Sequence, residues 1–529
     1  MLKFLVFDDG RSPDSWPLRN PHLLGSDGNA MRADILFADG AVVVDKRESG
    51  AAALAIQQPV GDCGELTIQT CLLPDRDEPY LLSVEQARHR LMVLYNKLED
   101  WGMFDLGPDH AVVKRTELAL RLFIESLCCQ SEDPAKADRL AKDSLVAAID
   151  GSEELALAHA ELLLNRRQST GSLPKHPIGC GVSLDQTHER IRAGLLASFD
   201  FLFLPTSWRG LAPEEGEYQW AKMDDWADWA GRTRMNIIAG PIVSFEPHIL
   251  PDWLYIWEHD YDTVRELIYE HVERVVSRYR SNVTAWNIVS GLHVNSHFSF
   301  SFEQLMDLTR MATMLVKKIQ PAAKTLIEIQ QPFGEYYSTN QRSIPPLMYA
   351  DLVVQSAMNF EGFSLKLLMG QALPGQYTRD LMQISSMLDQ FSVFGKPVYL
   401  TIAAPSEMVT QMMIAAPDAG VPVDPNSGYW RKPWSPLVQS HWLEALLQIA
   451  MSKPYIEAVA WHELIDHPEI EMPLAGLIGE DLQPKGAFRR LLAFRNNLLG
   501  NGQRKTNGNA TIPTESAQLT EPPHAGAGL

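Results

Sequence analysis

"VVSRYRSNVTAWNIVSGLHV", residues 275–294, carries the end of an amphipathic helix through a short turn and into a buried strand. Its first apolar residues recur at helical spacing, and the later ones crowd together in the run Ala285–Val289. A run of that kind, bounded by turns, reads as a strand covered on both faces. The strand leaves for a loop at Ser290 and Gly291, with no carboxylate where it emerges.

The same alternation extends in both directions. Strand-like runs fall at 179–185, 201–206, 236–245, 283–289, 325–330, 351–358, 397–403 and 457–462. Helix-like stretches separate them, and only the one between the fifth and sixth strands is poorly marked. Eight strands alternating with helices over roughly 320 residues predict an α/β fold, a (β/α)8 TIM barrel spanning residues 175–500. A doubly wound sheet usually stops at five or six strands, and no Gly-rich phosphate loop follows the first strand. Ahead of the barrel, residues 1–80 hold short β-rich runs such as "ADILFA" and "ELTIQTCLL", which predict a small sandwich-like domain. A helical segment follows over 81–168, then a linker, "QSTGSLPKHPIG". The tail 501–529 is polar and rich in Pro and Gly, the composition of a disordered segment.

A length of 529 residues predicts two or three domains, and 45% apolar with 21% charged residues is ordinary for a globular chain. The net charge of −20 argues against nucleic acid and against anionic membrane as partners. The start, "MLKFLVFDDG", lacks the long apolar run of a secretory signal, and no stretch approaches the length of a membrane span. Five cysteines (Cys63, Cys71, Cys128, Cys129, Cys180) have no metal-ligand spacing and read as core thiols in a reducing compartment. The expectation is a cytoplasmic protein without metal or cofactor; its oligomeric state is not legible.

In such a barrel the working residues sit at the C-terminal ends of the strands and in the loops that follow. Eleven of the thirteen tryptophans lie between 208 and 461, several of them in those loops. Flat aromatic faces on a rim suit the apolar faces of sugar rings. Trp253, Trp430 and Trp434 are substrate-binding candidates on that ground, Trp430 and Trp434 within "SGYWRKPW" (427–434). His293 follows the fourth strand and is a further ligand candidate.

Further landmarks occur in order: Trp208 with "PEEGEYQW" (213–220), "LPDWL" (250–254), "VVSRYRSNVTAWNIVS" (275–290), "GKPVYLT" (395–401), Trp461 and "QPKGAF" (483–488). Together they resemble glycoside hydrolase family 10, the β-1,4-xylanases, over roughly residues 175–500. The resemblance implies a polysaccharide or oligosaccharide partner and adds Trp461 and Gln355 to the substrate-binding candidates. It also implies that the family's general acid/base glutamate is replaced by Gly291 and its nucleophile by Ile402, within "TIAA". Pro241 and Glu246 stand in place of two family histidines, and Ala357 in place of a third.

Retaining glycosidases need two carboxyl groups ~5 Å apart, one to protonate the leaving oxygen and one to attack the anomeric carbon. Gly291 and Ile402 supply neither. The expectation is a catalytically degenerate barrel that binds glycan or serves as a scaffold. The alternative is a glycoside hydrolase with relocated carboxylates, Glu246 after strand three and Glu463 after strand eight. Glu335, Glu361 and Asp466 also lie in loops and are expected to be tied up in ion pairs or helix caps.

Overall fold

A computed structural model describes residues 1–186, 189–298, 300–340, 342–408, 426–467 and 471–499. The expected disordered tail lies outside these residues.

Eight parallel strands close into a barrel: Ile178–Gly181, Phe201–Leu204, Asn236–Ala239, Ala285–Ser290, Lys324–Gln330, Gly362–Leu368, Val398–Ala403 and Ile456–Trp461. The ring is completed where strand eight pairs with strand one, Val459 opposite Ile178, and where strand three pairs with strand four, Ile238 opposite Ala285. A two-residue continuation of strand three, Val243–Ser244, pairs with the upper part of strand four. Side chains alternate along each strand, so one set meets the helices and the other fills the barrel. The lower interior is an apolar layer of Phe201, Ile238, Ala285, Leu326, Tyr399, Ala458 and Ala460. Above it the interior turns polar.

One strand was misplaced in the sequence reading. Residues 351–358 are not strand six; Pro346–Gln355 is a helix with proline in its first turn and Tyr349, Ala350 and Val353 on its buried face. The β-branched pair Val353–Val354 mimicked a strand, but Pro at the start and apolar residues three or four apart favour a helix. Strand six is Gly362–Leu368, whose outward Phe363, Leu365 and Leu367 alternate with inward Ser364 and Lys366. An interior that holds serine and lysine conceals a strand from a search for apolar runs.

The first eighty residues build two sheets. One orders Ala33–Ala38, Ala41–Lys46, Leu2–Leu5 and Tyr80–Leu81; the other orders Gly64–Gln69, Ala53–Pro59, Arg19–Leu24 and Ala30–Met31. Leu2, Phe4, Val42 and Val44 of the first share a core with Leu23, Leu54 and Ile56 of the second. Three helices follow, Leu82–Asp100, Ala111–Cys129 and Pro134–Thr170. The last opens with the Asp133 carboxylate accepting from Lys136 N at 2.9 Å and closes at Gly171 in the left-handed region. At 37 residues it is about 55 Å long and lies along the barrel helix Pro436–Ser452, with Arg167 donating to the Met451 and Lys453 carbonyls.

The loop after strand seven joins these parts. Tyr429–Trp430 adds an edge strand to the second N-terminal sheet, Tyr429 opposite Glu65 and Trp430 opposite Gly64. Arg431 then pairs with Asp150 and Glu153 of the long helix, and Glu153 also accepts from Trp430 Nε1 at 2.8 Å and Leu381 N at 2.9 Å. Gly64 permits this approach: a Cβ there would lie 2.2 Å from the Tyr429 carbonyl oxygen.

Gly64→Ala is expected to lower stability by about 2–4 kcal/mol, combining overpacking with a strained backbone. Gly50 also has a positive φ but open space around it, so Gly50→Ala should show the backbone cost alone. Thermal melting of the two variants checks this; equal melting temperatures would refute the docking role given to Gly64.

Candidate functional site at the barrel mouth

The polar interior starts at Glu328 on strand five. Its carboxylate accepts from Asn287 Nδ2 at 2.8 Å, Ser290 Oγ at 2.5 Å and Ser364 Oγ at 3.0 Å. Simple alternation would turn Ser290 away from Asn287, but the register with strand five slips between Asn287 and Val289. That irregularity lets both side chains reach the same carboxylate. Gln330 donates to Ser290 Oγ at 2.6 Å, which extends the network towards the mouth. A buried carboxylate with three donors satisfies the demand that buried charge be hydrogen-bonded.

Lys366 stands on strand six, one inward position above Ser364. Its ammonium lies 2.6 Å from Glu471, in the loop after strand eight, and 3.6 Å from Glu246, after strand three. His462 Nε2 is 3.1 Å from the Glu471 carboxylate. His248 sits 3.8 Å from Glu246 and 3.9 Å from Glu471. Burial works against the ammonium, but Glu246, Glu471 and Glu328 together hold the Lys366 pKa above its usual value. Burial likewise opposes the Glu471 charge, and Lys366 with His462 holds its pKa well below the carboxylate range. The mouth is a clamp of two carboxylates on one ammonium. Glu246 Oε2 and Glu463 Oε2 are buried and make no hydrogen bond among the described residues.

The carboxylates expected as a relocated pair, Glu246 and Glu463, have different partners. Glu246 is brought together with Glu471 on Lys366, whereas Glu463 pairs with His467 at 3.8 Å. At the strand-four exit Gly291 has φ +64°, and a Cβ there would meet the Gln330 side chain at 2.7 Å. Ile402 is fully buried within strand seven.

The substrate-binding candidates scatter. Gln355 is an exposed residue at the end of a helix outside the barrel wall, bonded to Asp351, so it does not reach the mouth. Trp461 and Trp434 are buried, with Nε1 donating to the Ala475 and Gly428 carbonyls at 2.8 and 3.1 Å. Neither ring is open for stacking. Trp430 packs into the domain seam, bonded to Glu153. The loop 427–434 thus half-buries Tyr429 and Trp430 by docking on the N-terminal sheet, while Trp434 is buried. His293 is buried, stacks on Tyr349 at 5.0 Å and shares a 3.0 Å hydrogen bond with the Gln330 carbonyl. Burial lowers its pKa to about 4, so it is neutral near pH 7. Trp253 stays half-buried after strand three, its Nε1 on the Ala212 carbonyl and its ring edge-on to Trp208. Glu335, Glu361 and Asp466 are each paired, with Arg379, Lys317 and Lys485.

Sequence reasoning missed Lys366, Glu328, His462 and Glu471. The first two had a signal: each is a lone charge inside an apolar strand, in "GFSLKLL" and "TLIEIQ". His462 and Glu471 lie beyond strand eight in an irregular stretch without one.

Residues 185–306 match the family model for glycosyl hydrolase family 10. The resemblance of the barrel is to that family. Endo-1,4-beta-xylanase 1 of Gibberella zeae is 24% identical over 83 residues, which cover 16% of this chain and 23% of the relative's length. Among solved structures, xylanase 10B from Thermotoga petrophila RKU-1 in complex with xylobiose is 14% identical, with a TM-score of 0.45. The match covers 62% of this chain and 97% of that one. Native xylanase 10B from Thermotoga maritima is 13% identical, covering 63% and 98%, also with a TM-score of 0.45. The barrel assignment rests on the closed parallel pairing of eight strands. Among the described residues no helix is long and apolar enough to cross a membrane.

Lys366→Met is expected to cost about 3 kcal/mol at pH 7, because it leaves two buried carboxylates without a counter-charge. Glu471, with its pKa depressed in the folded state, adds stability above the usual glutamate pKa near ~4.3 and loses it as pH falls through the folded value. The gap between wild type and variant should therefore narrow on acidification below that range. Denaturation at pH 7 and pH 3 measures it; a gap that is constant or widens would contradict the clamp.

Proposed function

We propose that this xylanase-like barrel binds a β-1,4-linked glycan at its C-terminal mouth without hydrolysing it. The observation that carries the reading is the Lys366 clamp. Retaining hydrolysis needs one carboxyl group protonated and one ionised, ~5 Å apart. Here Glu246 and Glu471 lie within 3.6 Å of the same ammonium, which ties both carboxylates to one cation. Glu471, with its lowered pKa, is a poor proton donor near neutral pH. Gly291 and Ile402, where the resemblance puts the family's catalytic glutamates, have no proton to give and no nucleophile.

Glycan binding draws on three supports. The family model covers the stretch from just after strand one to the start of the helix after strand four, and the matched relative is named as a xylanase. The mouth holds a polar cluster in which Glu246 Oε2 is ion-paired but accepts no hydrogen bond among the described residues. The loop after strand three keeps Trp253 and Trp257 half-exposed beside the exposed Ile256, an aromatic rim of the kind sugar rings stack on.

A second reading, hydrolysis through Glu246 with Glu471, is favoured by their convergence on one nitrogen. Calorimetric titration with xylohexaose and cellohexaose, followed by chromatography of the recovered sugar, separates the two. The expected result is saturable binding that Trp257→Ala weakens about tenfold, with the hexasaccharide recovered intact. Absence of binding to either sugar would overturn the proposal, and so would recovery of shorter oligosaccharides.

A further inference from the structure

Away from the Lys366 cluster, a cleft of about 550 Å³ opens where the second N-terminal sheet, the helix Leu82–Asp100 and the barrel meet. A volume of that size suits a small organic ligand. Its apolar lining includes Val93, Phe333, Leu347, Met382 and Met387. The methionines make that wall adaptable in shape.

The polar groups decide what it takes. Two guanidiniums line the cleft. Arg90 is spent on Asp380, to which both of its terminal nitrogens donate. Arg379 gives one terminal nitrogen to Glu335 and the other to the Thr67 carbonyl at 3.1 Å, while its Nε–H, although buried, meets no acceptor among the described residues. Ser386 Oγ, also lining the cleft, is buried without a hydrogen bond. The lining carboxylate, Asp27, is exposed and occupied with Asn29. The neighbouring His89 is held neutral near pH 7 by burial, with its pKa lowered to about 4. An unmet donor on a buried guanidinium, a second unmet hydroxyl and apolar walls call for one acceptor-rich head on an apolar body.

We propose that this cleft is a binding site for a small amphipathic carboxylate, with its head at Arg379 and its apolar body between Phe333 and the methionine wall.

The test uses the full-length protein and three probes of equal chain length: octanoate, octanol and octylamine. By calorimetry, octanoate should bind at least tenfold more tightly than either of the others. Arg379→Lys should retain binding but lose the preference. Met92 lines the cleft at its exposed edge, so Met92→Trp places a fluorescent ring there without disturbing the core. Octanoate should shift that variant's emission saturably once the signal of the wild type's thirteen tryptophans is subtracted, a readout that stands even if Arg379→Lys does not fold. Equal binding of the three probes, no binding, or octanoate binding that leaves the Met92→Trp emission unchanged would each overturn the proposal.

Discussion

One buried ammonium organises the mouth of this barrel. Lys366 enters the interior from strand six and would be untenable there alone, because an isolated charge in a protein interior is strongly disfavoured. It is held by a carboxylate from the loop after strand three and another from the loop after strand eight, with Glu328 below. The same ion pairs that make the lysine acceptable commit the carboxylates. The chemistry of the mouth is thus constrained by its electrostatics, whatever the barrel resembles.

The second constraint is the seam between the barrel and the N-terminal half. The strand Tyr429–Trp430, which would otherwise be a rim loop, completes a sheet that belongs to residues 1–80. Glu335, from the loop after strand five, meets Asn20, the Gly375 amide and Arg379 in the same region. Part of the rim that a glycan-cleaving barrel would leave open is therefore covered by the protein's own sheet. The aromatic loop after strand three keeps Trp253 and Trp257 half-exposed.

Much of the architecture was legible in the sequence. Periodicity found seven of the eight strands, because their outward faces are apolar and their neighbours are amphipathic helices. Strand six failed for a physical reason: Ser364 and Lys366 point inward, and the nearby helix Pro346–Gln355 carries a β-branched pair. That slip also misassigned Gln355. Local pattern could reveal that the exit of strand four carries no side chain at Gly291, since that is plain in the letters. It could not reveal that Gln330 occupies the space, nor that Glu471 reaches Lys366, because these depend on how distant loops fold back. The tryptophans mislead in the opposite sense. Trp434 and Trp461 look like rim residues by position, yet both are buried with their indole N–H groups bonded to backbone carbonyls.

The most direct test of the account is release of dinitrophenol from 2,4-dinitrophenyl β-xylobioside, a substrate whose leaving group needs no general acid. It therefore reports only whether the mouth holds a working nucleophile or base. The account predicts release indistinguishable from buffer for wild type, Glu246→Gln and Glu471→Gln, with no acceleration by added azide. Turnover by the wild type that disappears in either variant would contradict it, and would show that the carboxylates on Lys366 are catalytic.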